Sequence, residues 1–228
     1  MDRDATSRQT YIMKIHKGFL QGSEQWFELR RGRVTASNFD RIMTAIQCKY
    51  SAQAEGYQRD LLVESFCPDY AKFLGNKWTE RGTEMEPDAR RAFEAHTGLA
   101  TEQVAFVTAE RWQHVVGCSP DSLIKGADGE YVAGLELKCP SPFTHAKYIE
   151  EGTLPDEYKA QVHGGMAVTG LNEYHFFSYF PGLAPLHVIV KRDEYTQRLT
   201  DALDRFVIEY GAYREKMTPK LQLQPTAP

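Results

Sequence analysis

The sequence predicts a single α/β domain in which a central mixed β-sheet is flanked by α-helices. Two observations predict this fold class. Strand-length apolar runs alternate with segments of helical spacing from about residue 100 onwards, and 228 residues suit one core rather than two. A chain of this size buries roughly 70% of its unfolded surface, so it needs no disulfide or structural zinc. We expect one domain over residues 1–228, with flexible ends at about 1–12 and 218–228.

Capping residues and apolar spacing predict three helices in the first third of the chain. A Ser-capped helix is expected over 23–31, a Thr-capped helix over 35–46, an exposed loop over 47–58 and a third helix over 59–66. Arg30 and Ser37 then lie where the first two helices meet.

A fourth helix is predicted to begin at a capping box, Thr83 to Glu86, and to end before Gly98. Pro87 fits if the helix begins near it, because proline is tolerated in a first turn. From this segment alone, Glu86 is interpreted as a capping residue.

The second half of the chain alternates strands and helices. The turn over 126–129 makes two of the strands a hairpin, which can bring Asp121 beside Glu136. The expected strands are 104–107, 114–117, 121–124, the run through Glu136, 174–180 and 186–191, and the helices are 143–151, 155–168 and 193–217. The last helix has a buried stripe of apolar residues: Tyr195, Leu199, Leu203, Phe206, Val207 and Tyr210.

Composition limits the class of protein. The net charge of -4 argues against binding nucleic acid through bulk positive charge, yet residues 1–60 carry ten Lys and Arg against seven Asp and Glu. Four arginines fall within twelve positions: Arg30, Arg31, Arg33 and Arg41. The four cysteines form no C-x-x-C pair, no apolar stretch is long enough to span a membrane, and the N-terminus is too charged for a signal peptide. We expect a soluble cytoplasmic protein with reduced thiols.

Two charges interrupt an apolar strand. In Gly134–Pro140, Glu136 and Lys138 share one face of the strand, whereas Leu135 and Leu137 point to the other. With Asp121 from the neighbouring strand, they would form a polar cluster where a hard divalent cation could bind. The alternative is a structural ion pair, with Asp121 merely starting a strand after Pro120.

Hydrolysis of a phosphodiester needs a metal that stabilises charge on the phosphate, and a water made nucleophilic by a base. Asp121 and Glu136 could be metal ligands, and the backbone carbonyl of Leu137 could be a further one. Lys138, held near the cation, is expected to lose its proton more easily than a free lysine, which suits a base. The ordered set of Pro-Asp, a hairpin-length gap and Glu-x-Lys favours a nuclease.

At these residues the chain resembles the restriction-endonuclease-like PD-(D/E)xK superfamily, and within it the phage lambda exonuclease family of YqaJ-like viral recombinases. The resemblance runs from about Trp26 to Tyr210 and rests on five blocks in the family's order. These are Leu29–Ser37, Glu86 with Asp88, Ala89, Arg90 and Phe93, Ser119–Asp121, Leu135–Pro140, and Tyr158 with Gln161. It implies a restriction-endonuclease-like core.

The resemblance also implies a role for each matching residue. Asp121, Glu136 and the Leu137 carbonyl look like ligands of one Mg²⁺, and Glu86 like a ligand of a second ion, which reverses the capping interpretation. Manganese is expected to substitute. Lys138 looks like the group that activates the attacking water and Gln161 like the group that positions it, with Tyr158 in support. Arg30, Thr35 and Ser37 resemble a pocket for the terminal 5′-phosphate, which forked Arg donors and a helix N-terminus suit.

The implied function is a magnesium-dependent 5′-to-3′ double-strand DNA exonuclease of phage or prophage recombination, which releases mononucleotides and leaves a 3′ overhang. The implied partners are double-stranded DNA ends, two further copies in a homotrimer ring, and a single-strand annealing protein. Two alternatives are a sequence- or structure-specific endonuclease of the same superfamily and an inactive DNA-binding subunit.

Other candidate residues have structural interpretations. Relatives often carry Gln-x-Gln where this chain has Gln161-Val162-His163, and we interpret His163 as a solvent-facing helix residue. Trp26, Trp78 and Trp112 could stack on bases, but packing is the favoured interpretation. The histidines show no spacing typical of a zinc site.

Overall fold

A computed structural model describes residues 12–67 and 77–222. The chain forms two mixed sheets rather than the single central sheet that the sequence predicts. The smaller sheet has the order β1-β4-β5-β2 and the larger the order β3-β6-β7-β8-β9. The strands are β1 Met13–His16, β2 Val34–Thr35, β3 Thr101–Glu102, β4 Phe106–Ala109, β5 Val116–Cys118, β6 Ser122–Lys125, β7 Tyr131–Lys138, β8 Glu173–Ser178 and β9 Leu186–Lys191.

Six α-helices lie within the described residues. They are α1 Glu24–Arg30, α2 Ala54–Phe66, α3 Lys77–Thr97, α4 Pro142–Glu151, α5 Asp156–Thr169 and α6 Glu194–Leu221. Short 3-10 turns occupy Ala36–Arg41 and Glu110–Trp112. None of the described helices is long and apolar enough to cross a membrane.

The larger sheet follows the predicted hairpin. β6 pairs with β7 antiparallel, and the turn between them closes through hydrogen bonds between Gly126 and both Glu130 and Gly129. β7 then pairs with β8 in parallel. A parallel pair needs a crossover connection, which α4 and α5 provide.

The two faces of β7 divide as its alternation predicts. Leu135 and Leu137 are buried with Phe93 of α3 and Phe177 of β8. The opposite face carries Glu136 and turns towards α5. The helix α3 thus covers the apolar face of β7, and α5 covers its polar face.

A glycine pair sets the close approach of α5 to this sheet. A Cβ atom at Gly134 or at Gly165 would collide with the ring of Tyr174. The ring of Tyr174, which is buried, therefore lies against both backbones. This packing brings α5 near enough to β7 for their polar side chains to meet.

Three predictions about the first hundred residues are wrong. The expected helix over 35–46 is only the 3-10 turn Ala36–Arg41, because the Thr35 side chain makes no capping hydrogen bond and is bonded by Arg30 and Asn38 instead. The expected loop over 47–58 already contains the start of α2, which buries Ala54 and Tyr57 in the core.

The predicted capping box is also wrong. α3 begins at Lys77, so residues 83–86 lie inside the helix, and Pro87 lies inside it as well. A proline there removes one helical hydrogen bond and costs about 3 kcal/mol. Ala89 and Phe93, both fully buried, pack the following turns against the sheet and offset that cost. The predicted end of the helix before Gly98, which has a φ of 71°, is confirmed.

The predictions for the chain ends are mixed. α6 has the expected buried stripe, with Val207 only partly buried. It continues to Leu221 through Pro219, so a flexible end from residue 218 is wrong for 218–221. Residues 1–11 and 223–228, and with them the rest of both predicted flexible ends, lie outside the described residues.

Candidate active site

The hairpin joins Asp121 to β7 through two backbone contacts. The Asp121 N–H donates to the Leu135 carbonyl at 3.0 Å, and the Leu137 N–H donates to Asp121 Oδ2 at 2.6 Å. Asp121 therefore continues the ladder one residue beyond β6, with its carboxylate turned onto β7. The prediction that the hairpin brings Asp121 beside Glu136 is confirmed.

Glu136 is the centre of the polar face of β7. Its Oε1 accepts from Lys138 Nζ at 2.5 Å and from Gln161 Nε2 at 2.6 Å. The ammonium of Lys138 also lies 4.9 Å from the ring centroid of Tyr158. Since Tyr158 and Gln161 are one turn apart on α5, this helix supplies both contacts. We call Asp121, Glu136 and Lys138 the acid cluster.

Burial makes the charges of the acid cluster depend on one another. Burial, and then the charge of Glu136, raises the pKa of Asp121 well above its ordinary value. Burial likewise raises the pKa of Glu136, although the charge of Lys138 opposes it. Two buried carboxylates close together are stabilised as anions only by a neighbouring positive charge.

The protonation of Lys138 runs against the sequence-based expectation. Burial alone lowers the pKa of Lys138, but the charges of Glu136 and Asp121 outweigh burial and raise the pKa above its ordinary value. With these residues alone, Lys138 is an ammonium that balances the carboxylates. Only a further positive charge near Glu136 and Asp121 would weaken its hold on the proton.

Glu86 lines the same cavity but is bonded elsewhere. Its Oε1 accepts from Arg90 Nη2 at 2.6 Å, one turn further along α3. Arg90 also donates to the Asp121 carbonyl at 3.0 Å and to Ser122 Oγ at 2.9 Å. Arg90 thus ties α3 to the start of β6. Sequence analysis assigned it no role, although its position four residues after Glu86 is the signal of a helical ion pair.

The oxygen atoms of the acid cluster are of the kind that binds a hard divalent cation. Partly buried Asp121 and buried Glu136 offer carboxylate oxygens, which Mg²⁺ prefers. The raised pKa values of both carboxyls mean that a positive charge beside them would be stabilising. Among the residues that the structure describes, however, no three His, Cys, Asp or Glu side chains are gathered closely enough to hold a metal ion. Asp121 and Glu136 come together, whereas Glu86 stays with Arg90.

A second group of polar side chains surrounds Arg30, the last residue of α1. Its Nη1 donates to Ser119 Oγ at 2.9 Å, and its Nη2 donates to Ser37 Oγ at 3.3 Å and to Thr35 Oγ1 at 3.5 Å. Trp26 lies under the guanidinium, 4.2 Å from ring centroid to Cζ. We call Arg30, Thr35, Ser37 and Ser119 the anchor.

The anchor holds a partly buried positive charge. Burial lowers the pKa of Arg30 to about 10, so the guanidinium remains protonated at neutral pH. The hydroxyls around it are neutral, and no acidic group is within ion-pair distance of it in the described residues. Ser119 was missed by sequence analysis as an anchor residue, although it stands two positions before Asp121.

One cavity of about 630 Å³ joins the two groups. Its walls include residues of both, together with the supporting side chains: Arg30, Ser37, Ser119, Glu86, Asp121, Glu136, Leu137, Lys138, Tyr158 and Gln161. The volume lies in the range of about 300–1,000 Å³ that small-molecule sites occupy. Every predicted site residue except Thr35 therefore faces the same space.

Two interpretations of other residues can be compared with the structure. His163 is buried and bonds Thr196 Oγ1 at 2.7 Å, so the prediction of a solvent-facing histidine is wrong. Trp112 is buried in the core, and the indole N–H of Trp26 donates to Ala105 and Ser119, so packing is confirmed for both. The side chain of Trp78 lies outside the described residues.

Comparison with known proteins identifies the family. The model of the YqaJ-like viral recombinase domain matches residues 25–172, which is more than half of the chain. The chain belongs to the YqaJ-like viral recombinase family. The matched range contains all the residues of the acid cluster and the anchor, and the resemblance to the lambda exonuclease family is confirmed.

Solved structures agree with this YqaJ-like assignment. The alkaline exonuclease LHK-Exo from Laribacter hongkongensis matches with a TM-score of 0.66 at 28% identity, over 88% of this chain and 100% of its own. LHK-Exo has been solved in complex with dAMP. The phage-related exonuclease from Haemophilus somnus 129PT has a TM-score of 0.59 at 18% identity, over 86% of this chain and 99% of its own, which shows the shared fold. No curated protein matches the chain.

Proposed function

We propose that this protein is a magnesium-dependent exonuclease of phage or prophage recombination. It would digest the 5′-ended strand of duplex DNA to mononucleotides and leave a 3′ single-stranded overhang. The likeness to LHK-Exo at 28% identity supports a nuclease that acts on DNA. The hairpin of β6 and β7, which carries the acid cluster, supports hydrolysis of a phosphodiester.

The shared cavity is the observation that carries this proposal. It places a partly buried guanidinium with hydroxyl groups at one part of its wall, and the carboxylates of Asp121 and Glu136 with a lysine at another. The first group suits a phosphate that is held, because charged forked donors bind phosphate oxygens strongly. The second suits a phosphate that is attacked. An enzyme with both would hold one phosphate of a strand while it cuts at the next.

The residues divide the chemistry between them. Bound Mg²⁺ would stabilise negative charge on the scissile phosphate and acidify water. Asp121, Glu136 and the Leu137 carbonyl are the proposed ligands of one ion, and Glu86, on release from Arg90, of a second. Lys138 is the proposed acceptor of the proton from the attacking water.

Gln161 and Tyr158 act on Glu136 and Lys138. The amide of Gln161 donates to Glu136 Oε1, which fixes the carboxylate, and the amide oxygen is the proposed acceptor that would orient the attacking water. The ring of Tyr158 stacks on Phe176 with centroids 5.3 Å apart, and so gives the ammonium of Lys138 a fixed surface.

The anchor would account for the direction of digestion along the strand. Hydrolysis that leaves a new 5′-phosphate on the strand creates the group that Arg30, Ser37 and Thr35 would bind next. Each cut therefore restores the ligand of the anchor one nucleotide further along. Release of the product would be followed by advance in the 5′-to-3′ direction.

Processive digestion would need more than one subunit. A chain of 228 residues has a radius of gyration of about 17 Å, too small to enclose a duplex alone. We propose a homotrimer ring around DNA, as the family resemblance implies, and a single-strand annealing protein that receives the exposed 3′ strand.

Linear and covalently closed circular DNA test this function. Wild-type protein with Mg²⁺ should degrade linear duplex and leave intact circles unchanged, and EDTA should abolish digestion. Steady cleavage of intact circles would instead identify an endonuclease. Binding of DNA without digestion by the wild type, unchanged in Lys138→Ala and in Asp121→Ala, would identify an inactive DNA-binding subunit.

A further inference from the structure

A second cavity lies on the far side of Arg30 from the acid cluster. It has a volume of about 200 Å³, and it shares Trp26 and Arg30 with the large cavity. The guanidinium of Arg30 lies between the two cavities, because its Nη1 bonds Ser119 of the large one and its Nη2 bonds both Ser37 of the large one and Thr35 of the small one. A phosphate held at Arg30 would therefore have a cavity on either side of it.

The small cavity gathers the arginine cluster that the sequence shows. Among the described residues, its lining includes Arg30, Arg31, Arg33 and Arg41 and one acidic residue, Glu64. The protein as a whole carries a net charge of -4, so this is a local concentration of positive charge in an acidic molecule. A concave basic surface raises the local concentration of anions.

Three aromatic residues, Trp26, Phe27 and Tyr57, also line the small cavity. Of their rings, only that of Phe27 is exposed, because Trp26 lies under the guanidinium of Arg30 and Tyr57 is buried beneath Arg41. An exposed aromatic ring beside arginines can bind a single-stranded nucleotide, since its base stacks on the ring and its phosphate pairs with the arginines. The cavity is smaller than the ~300 Å³ at which small-molecule sites begin, so it suits one nucleotide in part rather than a longer strand.

The arginine side chains differ in how firmly contacts with the rest of the protein hold them. Arg33 donates to the His114 carbonyl at 2.9 Å and to the Leu29 carbonyl, so it holds the wall together. Arg41 stacks on Tyr57, 4.6 Å from the ring centroid, and pairs with Asp60 at 2.7 Å. That pair is partly exposed and worth at most about 1 kcal/mol. A phosphate can therefore replace Asp60 as the partner of Arg41 at little cost.

We propose that the small cavity binds the unpaired nucleotide at the end of a 5′ overhang. This inference rests on the proposed function. At a blunt end the terminal phosphate occupies the anchor and the small cavity is empty. At a one-nucleotide 5′ overhang the phosphate of the first paired nucleotide occupies the anchor, and the unpaired nucleotide passes Arg30 into the small cavity, with its phosphate at Arg41 and Arg31.

This arrangement changes the first product. Water attacks the phosphate that follows the anchored nucleotide, an oxygen–phosphorus bond forms, the bond to the 3′ oxygen breaks and that oxygen takes a proton. On a blunt end the released piece is a mononucleotide. On a one-nucleotide overhang it is a dinucleotide, because the nucleotide in the small cavity leaves with the anchored one.

Single-turnover digestion of 5′-phosphorylated duplexes tests this inference. Blunt and one-nucleotide 5′-overhang ends are compared for the wild type, Arg41→Ala and Arg31→Ala. Arg31 is exposed, so its variant keeps the test informative if Arg41→Ala does not fold. Arg198→Ala, which removes an exposed arginine on α6, is the matched control.

The expected wild-type first product from the overhang is a dinucleotide, and both cavity variants should lower the ratio of overhang to blunt rates by about tenfold. Arg198→Ala should leave the ratio unchanged. Mononucleotides alone from the overhang, or an unchanged ratio in both cavity variants, would overturn the inference while blunt-end digestion upholds the proposed function. Failure of the wild type to digest any end would overturn both.

Discussion

The acid cluster and the anchor face one cavity but are built on different scaffolds. The acid cluster stands on a continuous five-stranded sheet, and its carboxylates are placed by the ladder between β6 and β7. The anchor stands where α1, a two-residue strand and a 3-10 turn meet. Its three hydroxyls come from two separate parts of the chain, which the short parallel pair of β2 and β5 brings together, and all three bond Arg30.

Because of this difference, the acid cluster and the anchor should tolerate substitutions to different degrees. A cutting site needs carboxylates fixed to a fraction of an ångström, which regular structure provides. A phosphate-holding site needs charge and several donors, which short elements around one partly buried arginine can provide. Substitutions in the acid cluster should therefore abolish the reaction, and substitutions in the anchor should change which ends are used.

Loss of Lys138 should have the largest effect on rate. Lys138→Ala removes the proposed proton acceptor and the partner of Glu136, and should lower kcat by roughly 10²–10⁴-fold. Lys147→Ala, on the exposed side of α4, is the control and should have no effect. Initial rates on linear duplex check this prediction, and a fall of less than about threefold would contradict it.

Loss of Arg30 should change selectivity more than chemistry. Hydrogen bonds to charged groups contribute about 1.5–3 kcal/mol, so Arg30→Ala should reduce the preference for 5′-phosphate over 5′-hydroxyl ends by roughly 10–100-fold. Arg30→Lys keeps the charge without the fork and should restore only part of it. An unchanged preference in a folded Arg30→Ala protein would remove the anchor assignment.

The close approach of α5 to the sheet can be tested with two glycines. Gly134→Ala drives a Cβ into the Tyr174 ring, and overpacking of this kind costs about 1–3 kcal/mol. Gly211→Ala lies in α6 with nothing near its added Cβ, and should stabilise by about 0.5–1 kcal/mol. Denaturant unfolding measures both, and equal midpoints would argue against the packing of Tyr174.

A histidine cluster behind the acid cluster predicts a smaller, pH-dependent effect. His187 Nε2 lies 2.9 Å from His175 Nδ1, and His175 Nε2 lies 3.0 Å from Glu173. Burial, then His175 and His96, lowers the pKa of His187 to about 4.

The unfolded chain protonates His187 near pH 6.5, whereas the folded chain protonates it only near pH 4. The free energy of unfolding is therefore highest above about pH 6.5, and it falls as the pH drops towards 4. Melting temperatures between these pH values should decline less in His187→Gln than in the wild type. Parallel curves would show that His187 does not titrate in this way.

The same contrast explains what the sequence could predict. The alternation of Glu136 and Lys138, and the hairpin that adds Asp121, follow from local rules of strand geometry. Ser119 in the anchor and the burial of His163 depend on contacts between distant segments, so periodicity does not show them. The helix expected after Thr35 failed for the same reason, since the Thr35 hydroxyl bonds Arg30 instead of capping a helix.

Strand-labelled digestion of linear duplex DNA is the most direct test of the claim that one cavity both anchors and cuts. With Mg²⁺ and 5′-phosphorylated ends, we expect loss of each strand from its 5′ end, mononucleotide products and intact 3′ ends. Digestion from the 3′ ends, or internal cuts at equal rates in both strands, would contradict it.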